Sequence, residues 1–125
     1  MRRLDVDERR ARLGMRHLLA APGGGPVEAA RAVVALHASD PATVHLSAAA
    51  RSREPDVAAA ERALYEDRAL IRMRGMRRTM FVVPDDLAPA IQASSTDAIA
   101  ARERTRLVTR LQDCLLYTSP SPRDS

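Results

Sequence analysis

A mainly α-helical domain carrying one small β-hairpin is the fold that three features of this chain predict. Aromatic residues are nearly absent, so a core must be built from Ala, Leu, Val, Ile and Met, and Ala, Leu, Met and the abundant Arg are good helix formers. Successive segments open at residues that cap helices and close at residues that break them. At Leu70 the apolar period changes from helical to strictly alternating. With 125 residues the chain is long enough for about one domain and a modest core.

Asp5-Val6-Asp7-Glu8 fits a capping box with Asp5 as the N-cap and Glu8 three residues on. A helix is expected from there to about Ala20, with Leu4, Leu13, Leu18 and Leu19 as its apolar contacts. Pro22-Gly23-Gly24-Gly25 ends it. Pro26 suits the first turn of a second helix reaching about His37, with Val27, Ala30, Val33, Val34 and Leu36 facing inward. Asp40-Pro41 starts a third helix to about Arg51, supplying Val44, Leu46 and Ala48 to Ala50. Pro55-Asp56 starts a fourth to about Asp67, whose Val57, Ala60, Ala63 and Leu64 recur at helical spacing.

Leu70-Ile71-Arg72-Met73-Arg74 alternates apolar and basic residues and reads as a half-buried strand. Gly75-Met76 lies in a turn, and Thr79 to Val83 form the second strand. Pro84-Asp85-Asp86 opens a helix to about Ala93, and Ser95 or Thr96 caps a last one. Three short helices followed by a hairpin is the winged helix-turn-helix order. The helix before the hairpin would be the recognition helix and the hairpin the wing.

All 20 basic residues are Arg, and the net charge is +4. A basic surplus of this size permits nucleic-acid binding without demanding it. Arg72, Arg74, Arg77 and Arg78 cluster in the hairpin. On a strand, Arg72 and Arg74 project from one face while Ile71 and Met73 pack on the core, and guanidinium forks suit phosphate oxygens. Four such phosphate contacts would give log K against log[salt] a slope of about −3.6, at roughly 0.9 per phosphate. The alternative is a solvated sheet edge whose charge blocks aggregation. The fourth helix is acidic: Glu54, Asp56, Glu61, Glu66 and Asp67 face only Arg62 and Arg68. Wing-led contact with the backbone is therefore expected over base reading in a major groove. In the final helix Arg102, Arg106 and Arg110 form a stripe opposite Ile99, Leu107 and Leu111, as in a solvated amphipathic helix.

Several classes are set aside. No stretch approaches the ~20 apolar residues of a membrane span, and Met1-Arg2-Arg3 leads into charged residues, not into the apolar run of a signal peptide. The single Cys114 permits no internal disulfide, and the three His are not at metal-ligand spacing. No metal and no cofactor is expected, and a cytoplasmic, nucleoid-associated protein is.

Cys114 to Ser125 breaks the Arg- and Ala-rich composition. Cys114 through Asp124 equals, without a mismatch, a translation of a transposase-type sequencing adapter. Residues 114–125 are thus expected to be a non-native tail, excluded from fold reasoning. Residues 1–94 are expected to form the winged-helix domain, and 95–113 the start of a helix leading to a missing downstream domain.

Ala35-Leu36-His37-Ala38-Ser39-Asp40-Pro41, then Ala63-Leu64-Tyr65-Glu66-Asp67-Arg68, then Met76-Arg77-Arg78-Thr79-Met80-Phe81-Val82-Val83 resembles the bacterial winged-helix DNA-binding family that includes the AlkZ- and YcaQ-type DNA glycosylases. The resemblance covers essentially all of 1–113. It implies the first of tandem winged-helix modules, a small β-domain elsewhere, and a family that excises bulky alkylated bases. The family's Gln-x-Gln or Gln-x-Asp falls on His37-Ala38-Ser39, its hairpin Arg-Gly-Thr on Arg77-Arg78-Thr79, and the His that often follows is Phe81 here.

Base excision needs a group that positions or deprotonates a water attacking the sugar C1′. His37 is of a type that exchanges protons near neutral pH, although a helix C-terminus would stabilise its cation and oppose that role. Ser39 can donate a hydrogen bond but offers no charge, and Asp40 is expected to be occupied as an N-cap. Plain capping is the other reading of all three.

Three functions follow. One is a DNA-binding module, held on double-stranded DNA by Arg72, Arg74, Arg77, Arg78 and Thr79. Another is a DNA glycosylase using His37 and Ser39. The third, kept open by the acidic fourth helix, is a protein-interaction module.

Overall fold

A computed structural model describes the backbone of residues 3–117 and side chains as far as Cys114. Helix α1 spans Val6–Arg16 and α2 Pro26–Val33; strand β1 is Leu36–His37; α3 spans Pro41–Ala49. Helix α4, Val57–Glu61, runs on as a π turn over Arg62–Glu66. Strands β2, Leu70–Arg74, and β3, Met80–Pro84, form the hairpin. Helix α5, Ala88–Ile91, passes through a π turn at Gln92–Thr96 into α6, Asp97–Tyr117. The sheet is antiparallel in the order β1-β3-β2. Helix–strand–helix–helix–hairpin with this sheet order is the winged-helix arrangement, α4 being the helix before the wing.

The capped starts follow from side-chain oxygens that take otherwise orphaned helix N–H groups. Asp5 accepts from Glu8 N, Asp40 from Ala42 N and Asp56 from Ala58 N. The core is small and aliphatic: Ala29, Ala30, Leu36, Ala38, Val44, Ala48, Ala63, Leu70 and Val82 pack together. Its small residues let α2 approach β3 and α3 approach β1 closely.

Several expectations change. Helix α1 ends at Arg16, not Ala20, and buries no residue; Leu4, Leu13 and Leu19 are exposed, and Leu18 turns left-handed at φ 58°. Val34, Leu46 and Val57 also face solvent, so helical spacing overstated the apolar faces of three helices. Ser95 and Thr96 do not cap a separate helix. Both donate to Ile91 O within the π turn, and Thr96 Oγ1 also donates to Arg74 O at 2.6 Å. Helical structure therefore continues across the 94/95 boundary. It also crosses residue 114 to Tyr117, while 118–125 of the expected tail lie outside the described residues.

The largest difference concerns the second helix. It stops at Val33, where Val34 takes φ 71°, an unusual conformation for a β-branched residue. The chain then extends, and β1 pairs Leu36 with Val82 and His37 with Phe81. A signal for this strand is present in Leu36-His37-Ala38-Ser39, which alternates apolar and polar over four residues. Leu36 and Ala38 are buried, whereas His37 and Ser39 are exposed.

Candidate nucleic-acid interface

The central strand β3 lies between the two groups of candidate residues, with His37 on β1 at one edge and the arginines of β2 at the other. Because β1 is extended, His37 and Ser39 stand two residues apart on one side, away from the buried Ala38. The Ser39 hydroxyl lies 3.5 Å from His37 Nε2, a long contact for such a pair. The imidazole meets the Phe81 ring edge-on, with centroids 5.7 Å apart and planes at 87°. Helix α2 ends at Val33, so His37 does not sit at the helix C-terminus that the sequence suggested.

Register decides where the hairpin arginines go. Cross-strand partners share a face of the sheet, and Arg72 is paired with Val82, which in turn pairs with Leu36. Arg72 therefore lies on the face carrying Leu70 and the core. Ile71 and Met73 lie on the opposite face with Phe81 and Val83, beside Ala88 and Pro89 of α5. The alternation is as expected, but the face that meets the main core is reversed. The Arg72 guanidinium crosses β3 and donates to Ala38 O from Nη2 at 2.9 Å and from Nε at 3.3 Å. Ala38 N donates to Met80 O at 2.8 Å. The peptide groups between His37 and Ser39 are thus held from both directions.

At the tip, Thr79 N donates to Met76 O and Gly75 N to Thr79 O. The two central residues of this turn, Arg77 and Arg78, have φ of 55° and 64°. Two successive left-handed residues match the twist of a hairpin but ordinarily select Asn and Gly. Thr79 Oγ1 donates to Met76 O and so braces the turn. Arg78 is ion-paired with Glu103 of α6, which also meets Arg106 at 3.4 Å. Neither Arg74 nor Arg77 has an ion-pair partner among the described residues.

The candidate residues consequently fall into two places. His37, Ser39 and Arg72 belong to the β1 side, and Arg74, Arg77, Arg78 and Thr79 to the tip. Glu103 and Arg106 had no sequence signal tying them to the hairpin, because only the path of α6 brings them there. On α4, Arg62 lies 3.5 Å from Asp56, leaving the acidic character of that helix largely intact. Among the described residues no group of three or more His, Cys, Asp or Glu could hold a metal ion, and no helix is long and apolar enough to cross a membrane.

No curated protein and no solved structure matches the chain. The family model described as "DNA glycosylase AlkZ-like" matches residues 30–114, a span that begins in α2 and takes in β1, the hairpin and most of α6. With more than half of its length matched, and with the winged-helix arrangement over that span, the chain belongs to the AlkZ-like DNA glycosylase family.

Proposed function

We propose that this chain is a DNA-facing winged-helix module that holds the phosphates of double-stranded DNA through the tip of its hairpin. The observation that carries the reading is the pair Arg77 and Arg78 in consecutive left-handed positions, near in sequence to Arg74, which has no ion-pair partner among the described residues. Left-handed backbone costs an L-residue roughly 1–2 kcal/mol. Asn or Gly would relieve it, so arginine at both positions is best accounted for by what its charge does at the tip. The acidic α4 supports backbone contact over insertion into a groove. Further winged-helix modules downstream in the same gene product, as the resemblance implies, would complete the DNA-binding surface.

The test is duplex binding by fluorescence anisotropy over a range of salt. Salt-sensitive binding that flattens in Arg74→Gln and Arg77→Gln, by about 0.9 in log–log slope each, supports the proposal. Slopes that match the unsubstituted chain would remove the hairpin from the interface.

Base excision is the second reading, favoured by the exposed His37 at the end of β1 and the exposed Ser39 two residues on, whose hydroxyl lies 3.5 Å from His37 Nε2. His37 would take the proton of a water whose oxygen bonds to C1′, while the base departs with the electrons of the glycosidic bond. Ser39 would orient that water. Alkylated DNA treated with the intact gene product, then with heat and base, reports released bases as strand breaks. Breaks lost in His37→Ala with binding retained would support the reading, and no breaks from the unsubstituted protein would end it.

A further inference from the structure

We infer that the cleft between the hairpin tip and α6 is a second phosphate-binding site, formed by Arg78, Arg106 and Arg110 and gated by Glu103. The inference rests on the DNA-facing reading above, and it extends that reading from Arg78 of the tip turn to Arg106 and Arg110 on α6.

The cleft is lined by Arg78, Glu103, Arg106, Leu107 and Arg110 and has a volume of about 250 Å³. Arg78 reaches it from the turn, and the others come from successive turns of one face of α6. The same oxygen, Glu103 Oε1, takes both Arg78 and Arg106. One carboxylate thus gathers two guanidinium groups that would otherwise repel each other. Arg110 lines the same cleft one turn further along and has no ion-pair partner among the described residues. Three guanidinium groups face one carboxylate, which leaves a surplus of two positive charges in a concave site.

A surplus of this kind is suited to a phosphodiester. Its two non-bridging oxygens can accept from forked donors on both sides. Glu103 sits in the open cleft with its side chain 36% exposed, so it can yield its guanidinium partners to an incoming phosphate. The placement also fits a duplex. Thr96 Oγ1 on Arg74 O and the Arg78–Glu103 pair tie the start of α6 to the hairpin. A backbone lying on the tip therefore meets α6 next, and the arginine stripe of α6 becomes a continuation of the wing.

The experiment compares Arg106→Gln and Arg110→Gln with Arg102→Gln in the duplex-binding assay across salt. Arg102 belongs to the same stripe and carries the same charge, but it does not line the cleft. Each cleft variant is expected to weaken binding several-fold and to flatten the slope by up to about 0.9, the loss of one phosphate contact, while Arg102→Gln leaves the slope unchanged. Equal slopes for all three variants would overturn the cleft and leave the tip reading standing. No salt-sensitive binding by the unsubstituted chain would overturn both. Glu103→Gln is expected to tighten binding by removing the competing carboxylate, and weaker binding in that variant would overturn the gating role.

Discussion

Arg72 donates two hydrogen bonds to the carbonyl oxygen of Ala38, the peptide oxygen that lies between His37 and Ser39. The guanidinium of a residue that alternation alone assigns to a phosphate contact is thereby tied to the backbone beside β1, although Arg72 itself remains exposed. Hydrogen bonds from a charged donor contribute about 1.5–3 kcal/mol when well shielded, and this pair is only partly buried. Arg72→Gln is expected to lower stability by about 1–2 kcal/mol in urea unfolding, and Arg72→Lys to recover part of that. The same variant should shift the His37 ring resonances while leaving the salt dependence of DNA binding unchanged. A flattened slope would return Arg72 to the interface.

The turn at the tip sets stability against charge. Arg77→Gly removes the side chain that opposes a φ of 55°, at some cost in unfolded-chain entropy. A net gain of about 1 kcal/mol in unfolding free energy is expected, together with weaker duplex binding. Arg78→Gly relieves the same strain but gives up the ion pair with Glu103, so its gain should be smaller. If Arg77→Gly is destabilising, the left-handed turn does not hold in solution.

Gly75 packs against the ring that supports His37. A methyl group there would come within 3.1 Å of Phe81 Cδ2, tighter than an ordinary van der Waals contact. Gly75 itself has a φ of −133°, so proximity and not backbone freedom explains the residue. Gly75→Ala is expected to cost about 1 kcal/mol and to move the Phe81 ring away from its edge-on contact with His37. Two-dimensional NMR of the aromatic protons reads this directly, and unchanged Phe81 and His37 signals would show that the ring has room to spare.

How much of this was legible in the sequence can be judged from particular residues. Asp5, Asp40 and Asp56 announced three helix starts because a cap is local chemistry, complete within four residues. The hairpin was legible because alternation over Leu70 to Arg74 has no good helical reading. Strand β1 is hard to read because its alternation covers only Leu36 to Ser39, the lower limit of a strand signal, and the preceding apolar run continues the helical pattern of α2. With β1 went the true setting of His37, on a strand edge beside Phe81. The destinations of Arg72 and Arg78 were illegible for another reason. Alternation tells which residues share a face, whereas only the sheet order and the path of α6 tell which face meets the core and which carboxylate an arginine finds. The same limit applied to Arg31 and Asp86, far apart in sequence and joined in the fold.

That pair gives the molecule a defined response to acid. Arg31 of α2 donates from Nη1 to Asp86 Oδ2 at 2.7 Å and from Nη2 to Oδ1 at 3.0 Å, clamping α2 to the turn after β3. The hydrogen bonds and charge of Arg31 hold the Asp86 carboxyl below its ordinary value of 3.8, and Asp86 raises Arg31 in return. A carboxyl depressed on folding contributes stability that is present above its unfolded pKa and lost as pH falls through the lower folded value. Arg31 stays charged over that range, so Asp86 alone titrates. Both side chains are about half exposed, and solvent and salt screen the pair. Asp86→Asn is therefore expected to melt at a slightly lower temperature near pH 7. Its curve should converge with that of the unsubstituted chain as pH drops below 3.8, and added salt should narrow the gap at neutral pH. A gap that persists unchanged into acid would mean that Asp86 acts through packing and not through its charge.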